Sequence, residues 1–238
     1  MSICFYKYSE IKRPVFDQKE NLLIKCPLRA ESCPVADEVH RLHKVCERLQ
    51  TLTQIDPLTG LYNHGYLLEI LEREMERSRR TGVPVSLIMI DLDYFKKIND
   101  TYGHEAGNNV LKTISNVMRD TIRRIDIPCR YGGEEFSIIL PGTHLLTGVR
   151  AADRLRAGME NKMVQIEGEQ LRVTASVGVD SYALGDNLSA HEFITRADNF
   201  LLEAKEGGRN MVCYDRDRIV QSETEITREE KSLLFAFT

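Results

Sequence analysis

At 238 residues, with 42% apolar and 29% charged side chains, the chain has the make-up of a soluble globular protein holding one well-cored domain plus an appendage. Its net charge of −4 argues against a protein that coats a nucleic-acid polymer, although a few local cations suffice for a nucleotide. No apolar run approaches the ~20 residues of a membrane span, and Met1–Lys7 lacks the basic-then-apolar layout of a secretion signal, so the expected location is cytoplasmic.

Residues 1–34 read as an irregular lobe of unknown role, broken by Pro14, Pro27 and Pro34. The six cysteines (Cys4, Cys26, Cys33, Cys46, Cys129, Cys213) include no close C-x-x-C pair, which fits reduced cytosolic thiols. Cys26, Cys33, His40 and His43 could be assembled into a zinc set, but their spacing departs from the common zinc modules, and incidental histidines in a cysteine-containing lobe explain them equally simply. Residues 35–51 are expected to form a linker or signalling helix, because Val39, Leu42, Cys46 and Leu49 line one face with Val45 beside them. That face suits either the same helix of a second copy or the parent domain.

Asp56–His64 interrupts the periodicity with Pro57 and Gly60 and opens a helix predicted to run to about Thr81. Val85–Ile90 is a nearly continuous apolar run, which predicts a central strand buried on both faces and ending in Asp91-Leu92-Asp93. A helix is expected over 106–123, then a hairpin whose strands are Cys129–Tyr131 and Phe136–Leu140, with Gly132-Gly133 supplying positive φ at the reversal. A helix over 144–160, a strand over 171–179, a helix over 190–206 and a short strand over 211–214 complete the pattern. Residues 216–238 form a charged tail ending in Leu233-Leu234-Phe235-Ala236-Phe237. Alternating helices and strands with one hairpin predict an α/β fold, a mixed central sheet flanked by helices, with an N-terminal helical extension.

Two acidic segments carry the chemistry. Glu134 and Glu135 sit beside paired glycines, and Asp91 and Asp93 end a strand two residues apart, where they would share a face. Read blandly, the first is an exposed polar turn and the second a pair of strand-end acids. Read functionally, Asp91 converges with Glu134 or Glu135 on a hard cation, and the glycines let a phosphate approach the backbone. Oxygen ligands without His or Cys favour Mg²⁺ or Mn²⁺ over zinc, and magnesium is typically shared between one or two carboxylates and substrate phosphates. The implied substrate is a nucleoside triphosphate.

Gly132-Gly133-Glu134-Glu135-Phe136 resembles the signature of the GGDEF family of diguanylate cyclases in its GGEEF form. Four further blocks agree in order and spacing: Asp56–Asn63, Asp91–Asp100, Gly103–Gly107 and Ala204–Asn210. The resemblance covers about residues 52–215, the expected catalytic domain, and implies a core similar to the palm of nucleotidyl cyclases and polymerases. It also implies that two GTP condense into cyclic di-GMP with loss of two pyrophosphates, between two subunits that each carry one GTP. By the same resemblance Asp91, the Leu92 carbonyl, Glu134 and Glu135 would hold the metal. Glu134, Glu135 and Lys96 form the catalytic set, with Glu134 accepting the 3′-hydroxyl proton. Lys96, Lys205 and Arg209 would neutralise the triphosphate, and Asn99 and His104 would contact the guanine nucleotide. Arg123, Arg124 and Asp126 fit the family's R-x-x-D product-inhibition motif.

Two positions depart from the family pattern. Asn108 stands where the family usually has an Asp that accepts bonds from guanine, and loss of one charge-assisted bond should weaken guanine selection by roughly 1.5 to 3 kcal/mol. Relaxed substrate use, including a mixed cyclic AMP-GMP product, is therefore expected as an alternative. His64 replaces a frequent Arg. A cyclic di-GMP receptor with weakened catalysis, binding at Arg123 and Asp126, is a further alternative, and the N-terminal segment could serve either as an interaction module.

Overall fold

The computed structural model describes residues 54–218 except Glu167 and Leu184, together with Glu38, Arg41, Leu42, Lys44 and Val45. Those five upstream positions are helical, and Arg41 pairs with Glu38 at 2.6 Å. Val39, Cys46 and Leu49 of the expected seam, the candidate zinc residues Cys26, Cys33, His40 and His43, the lobe of residues 1–34 and the tail beyond Arg218 lie outside the described residues. The chain divides into two units, Met1–Gln50 and Thr51–Thr238. No described helix is long and apolar enough to cross a membrane.

The second unit runs α1 (His64–Thr81), β1 (Val85–Leu92), α2 (Phe95–Thr121), β2 (Ile127–Arg130), β3 (Glu135–Leu140), α3 (Leu145–Asn161), β4 (Met163–Ile166), β5 (Glu169–Arg172), β6 (Ala175–Tyr182), α4 (Ala190–Glu206) and β7 (Val212–Tyr214). Five strands form one mixed sheet in the order β2-β3-β1-β6-β7, antiparallel except for the β6–β7 pair. β1 lies at its centre, and alternation sends its side chains to two cores. Ile88, Ile90 and Leu92 pack with Val110, Ile114 and Met118 of α2 and Leu155 and Met159 of α3. Leu87 and Met89 pack with Leu67, Ile70 and Met75 of α1 and Phe193, Ala197 and Leu201 of α4. A sheet between two helical layers is the α/β architecture expected from the sequence, and each fully buried Leu or Ile contributes about 1.5–3 kcal/mol to it.

Local signals fix the helix ends. The Asn63 side chain accepts from Tyr66 N at the start of α1, and Gly82 ends it with φ 72°. Ser189 and Glu192 form a reciprocal capping box at α4. α4 sits hard against the sheet: a Cβ at Gly178 would overlap the Ala197 carbonyl and the backbone nitrogen of Leu201, so only glycine permits this depth.

Three expectations need correction. The helix predicted over 106–123 begins at Phe95 and is broken at Gly103, where φ 81° and ψ 166° separate two helical segments. The single strand predicted over 171–179 is two strands in different sheets, because β5 turns back to pair with β4 while β6 joins β1. The hairpin strands are offset from the expected ones, ending at Arg130 and starting at Glu135, so the reversal spans four residues.

Candidate active site

The sheet register builds the acidic centre. Asp91 on β1 faces Glu135 on β3, and Leu92 donates its N–H to the Glu134 carbonyl at 3.4 Å. The Glu134 N–H turns to its own carboxylate. In an antiparallel strand one residue's N–H and C=O point to the same neighbour, so the Leu92 carbonyl faces this gap. Lys205, near the C-terminus of α4, places Nζ 2.8 Å from Asp91 Oδ2. Burial raises the Asp91 pKa, which the lysine only partly offsets and which Asp93 and Asp198 raise further. Burial likewise raises Glu134, with added repulsion from Asp91 and Glu135. Burial and neighbouring acids penalise the ionised form of both carboxylates, a penalty that a cation beside them would relieve.

Among the described residues no group of three or more His, Cys, Asp or Glu side chains converges tightly enough to hold a metal ion alone. What the centre offers is the Asp91 carboxylate on β1, the Glu134 carboxylate in the turn that enters β3, and a backbone carbonyl. That fits a cation completing its shell with phosphate and water better than a closed protein cage.

The glycines behave differently from expectation. Neither Gly132 nor Gly133 adopts positive φ. A Cβ at Gly132 would lie 2.7 Å from Glu135 Oε2 and displace that flexible carboxylate, whereas a Cβ at Gly133 would meet nothing within 4 Å. The wide turn is held by Arg130. Its Nε donates to the Gly132 carbonyl (3.1 Å), its Nη2 to the Gly133 carbonyl (2.8 Å), and its Nη1 reaches Asp56 Oδ2 (3.1 Å). Asp56 also accepts from Thr59 N and Oγ1. Sequence reading singled out the block containing Asp56 but assigned this residue no role.

Asp93 does not join Asp91. It is buried, and accepts from Thr174 Oγ1 (2.7 Å), Ser176 Oγ (2.7 Å) and Asn210 N (3.1 Å). The last bond fastens the turn after α4, in which Gly208, Arg209 and Asn210 all have positive φ. Arg209 lies over the exposed Tyr94 ring, 4.7 Å from its centroid, at the start of α2. Lys96 is exposed two residues further on, and the α2 N-terminus carries no side-chain cap. Lys205 thus brings positive charge directly to Asp91, while Arg209 and the uncapped start of α2 meet at Tyr94, three residues after it.

The candidate base-reading residues separate partly. His104 and Asn108 line one open cavity of about 650 Å³ with Lys112 and Gln165. Asn99 lies against Gly107 instead, where any Cβ would overlap its amide oxygen. Gly103 thus breaks α2 and Gly107 lets its two segments approach.

At the R-x-x-D motif, Asp126 is not an exposed ion-pair partner of the arginines. It is buried, its Oδ2 accepts from Arg123 N at 2.8 Å, and its Oδ1 has no hydrogen-bond partner. Burial raises its pKa. Arg123 lines a cavity of about 260 Å³ with Arg77 and Ser78, and Arg124 is exposed and off that wall. His64 packs edge-on to Tyr131 at 4.7 Å, and burial followed by the charge of His191 lowers its pKa.

Residues 53–211 match the family model described as diguanylate cyclase, GGDEF domain. The chain is 41% identical over 163 residues to the response regulator PleD of Caulobacter vibrioides, covering 68% of this chain and 36% of that protein. It therefore spans about a third of that relative's length. Among solved structures it resembles the diguanylate cyclase SiaD of Pseudomonas aeruginosa in complex with its activator SiaC, with 38% identity, TM-score 0.65, and 76% of this chain and 69% of that one covered. It also resembles the coiled coil and GGDEF domain of DgcB from Caulobacter crescentus in complex with c-di-GMP, with 28% identity, TM-score 0.65, and coverage of 76% and 95%. With two thirds of its length in that family model and the acid-bearing hairpin beside the central strand, the chain belongs to the GGDEF-domain family of diguanylate cyclases.

Proposed function

We propose that the protein is a diguanylate cyclase, condensing two GTP into cyclic di-GMP and two pyrophosphates where two copies of the domain face each other. The observation that carries this reading is the Asp91–Glu134 pair, two carboxylates with raised pKa on β1 and in the turn that enters β3, with Lys205 paired to Asp91. Asp91, Glu134, Glu135 and the Leu92 carbonyl would hold Mg²⁺ or Mn²⁺, which when bound would supply neutralising charge to the phosphates and acidify the 3′-hydroxyl. Glu134 accepts the hydroxyl proton, and its elevated pKa suits a base working near neutrality. Lys96, Lys205 and Arg209 neutralise the triphosphate and the departing pyrophosphate. Each domain orders one nucleotide, and a homodimer brings the two together. A GTP substrate supports a cytoplasmic location.

Asn99, His104 and Asn108 read the base, and the amide at Asn108 supports a second reading in which ATP is also accepted and a mixed cyclic dinucleotide forms. Product feedback acts through Arg123, Arg124 and Asp126. The partnerless Asp126 Oδ1 supports this, because a buried acceptor without a donor suits an incoming ligand N–H. Binding without turnover at that site is the receptor alternative, and the paired Asp91 and Glu134 weigh against it.

Incubation of the full chain with GTP and Mg²⁺, followed by mass analysis, tests the proposal. Cyclic di-GMP with two pyrophosphates per product, abolished by Glu134→Gln, is expected. A folded protein that binds GTP but forms no cyclic dinucleotide overturns it.

A further inference from the structure

Resting on the reading of Lys205 and Arg209 as phosphate cations, we propose that Arg156 and Glu160 of α3, acting with Asp93 through Asn210, are positioning residues that hold the phosphate-facing turn in its working shape. The turn needs holding. Arg209 (φ 65°) and Asn210 (φ 46°) are non-glycine residues in the left-handed region, which L side chains disfavour, and Gly208 (φ 120°) precedes them. Such a backbone persists only where its surroundings over-determine it.

Asn210 supplies that determination with its N–H and both ends of its side-chain amide. Its N–H donates to Asp93 Oδ2 (3.1 Å), its Nδ2 donates to Glu160 Oε1 (3.1 Å), and its Oδ1 accepts from Arg156 Nη1 (3.0 Å). Arg156 is more than a helix-surface ion pair. It binds Asp153 and Glu160 along α3, at 3.0 and 2.9 Å, and spends the same Nη1 on a residue 54 positions away. Asp93 is in turn fixed by Thr174 and Ser176, so the turn is tied both to the sheet and to α3. None of these groups touches the reacting atoms. They set where Arg209 stands over Tyr94 and how α4 delivers Lys205 to Asp91.

The test compares Arg156→Ala, Arg156→Lys and Asp153→Ala in the full chain. Hydrogen exchange of a peptide spanning 207–211 reads the turn directly, and binding of a non-hydrolysable GTP analogue reads phosphate capture. Arg156→Ala should accelerate exchange in that peptide while β1 and β6 stay protected, and should weaken analogue binding and lower kcat/KM by about tenfold or more, chiefly through KM. Arg156→Lys should restore part of this. Asp153→Ala, which removes an Arg156 partner remote from Asn210, should leave both readouts unchanged. Unaltered exchange at 207–211 in Arg156→Ala, or equal losses in Asp153→Ala and Arg156→Ala, overturns the proposal. If the wild-type chain makes no cyclic dinucleotide yet exchange and analogue binding respond as stated, the cyclase reading fails and the positioning role stands.

Discussion

Arg130 Nη1 stands 3.1 Å from Asp56 Oδ2 while the rest of the same guanidinium gathers the Gly132 and Gly133 carbonyls, so one side chain locks the acidic turn to the segment that precedes α1. Only a forked donor reaches all of these acceptors at once. Arg130→Lys should therefore keep the charge and lose the geometry. Activity is expected to fall about 10- to 100-fold as Glu134 and Glu135 drift from Asp91. Stability should drop by about 1 kcal/mol as the part-buried Gly132 carbonyl and the exposed Gly133 carbonyl lose their donor. Thermal melts and initial rates check the two effects separately.

The same contact has a pH signature. Burial would raise the Asp56 pKa, but the Thr59 hydroxyl and N–H together with the Arg130 guanidinium outweigh it and hold the carboxyl below its ordinary range. A depressed folded-state pKa means stability that is present above the unfolded value and lost as pH falls through the folded value. Asp56→Asn should accordingly lower Tm near neutrality. The gap to the wild type should close on acidification below about pH 4, where the unfolded carboxyl protonates. A gap that stays constant down to pH 2 would contradict this assignment.

Asp91 behaves oppositely. Its pKa is raised by burial, so the fold penalises the ionised form. Neutralising it relieves the native state, and Lys205, partly exposed, can recover solvation. Asp91→Asn should abolish cyclic dinucleotide synthesis while leaving Tm unchanged or raised, the trade expected where a site is built for function. A Tm loss as large as that of a core truncation would show that the acid serves the fold instead.

The elements easiest to read from sequence were those governed by local rules. β1 declares itself as a nearly continuous apolar run, and the helix expected over 190–206 has the bounds of α4, whose start is fixed locally by Ser189 and Glu192. The acids of the site were legible because strand end and hairpin each set two carboxylates beside backbone turns. Less legible was whatever depends on distant partners. Asp56 and Arg130 are 74 residues apart, and nothing in either segment announces the other. Gly132-Gly133 departs from the expected positive φ for the same reason, since Arg130 stabilises a wide turn that does not require it. β4 and β5, four residues each, are too short for a periodicity to register. The inward turn of Asp93 depends on hydroxyls more than 80 residues downstream.

Beyond the site, Asp180 is fully buried at the end of β6 between two arginines. Arg196 Nε and Arg218 Nη1 both donate to it, and both arginines also donate to the Ser181 carbonyl. Asp186 bridges the same pair. Removing one cation leaves a buried charge short of compensation, and Arg196→Ala should cost about 3–5 kcal/mol. Asp180→Asn with Arg196 intact should cost less, because the amide oxygen still accepts and no buried anion remains. Denaturant midpoints for the two variants give the comparison, and an Asp180→Asn cost above that of Arg196→Ala would reverse the reading.

Asn108 offers the sharpest chemical prediction. It shares its cavity wall with His104, and its side chain is exposed there, so exchanging the amide for a carboxylate perturbs no packing. Guanine presents N1–H and an exocyclic amine, two donors that a carboxylate accepts together, whereas an amide sets its own NH₂ against one of them. Adenine presents an acceptor at N1, which an amide can satisfy and a carboxylate repels. Asn108→Asp should therefore raise discrimination for GTP over ATP by roughly 1.5–3 kcal/mol, about 10- to 150-fold in the ratio of kcat/KM. Supplying both nucleotides in equal amounts and resolving the cyclic products reads this directly. The wild-type chain should yield some mixed cyclic AMP-GMP and the variant almost none. Identical product distributions would show that the base is chosen by Asn99 or His104 and not by this amide.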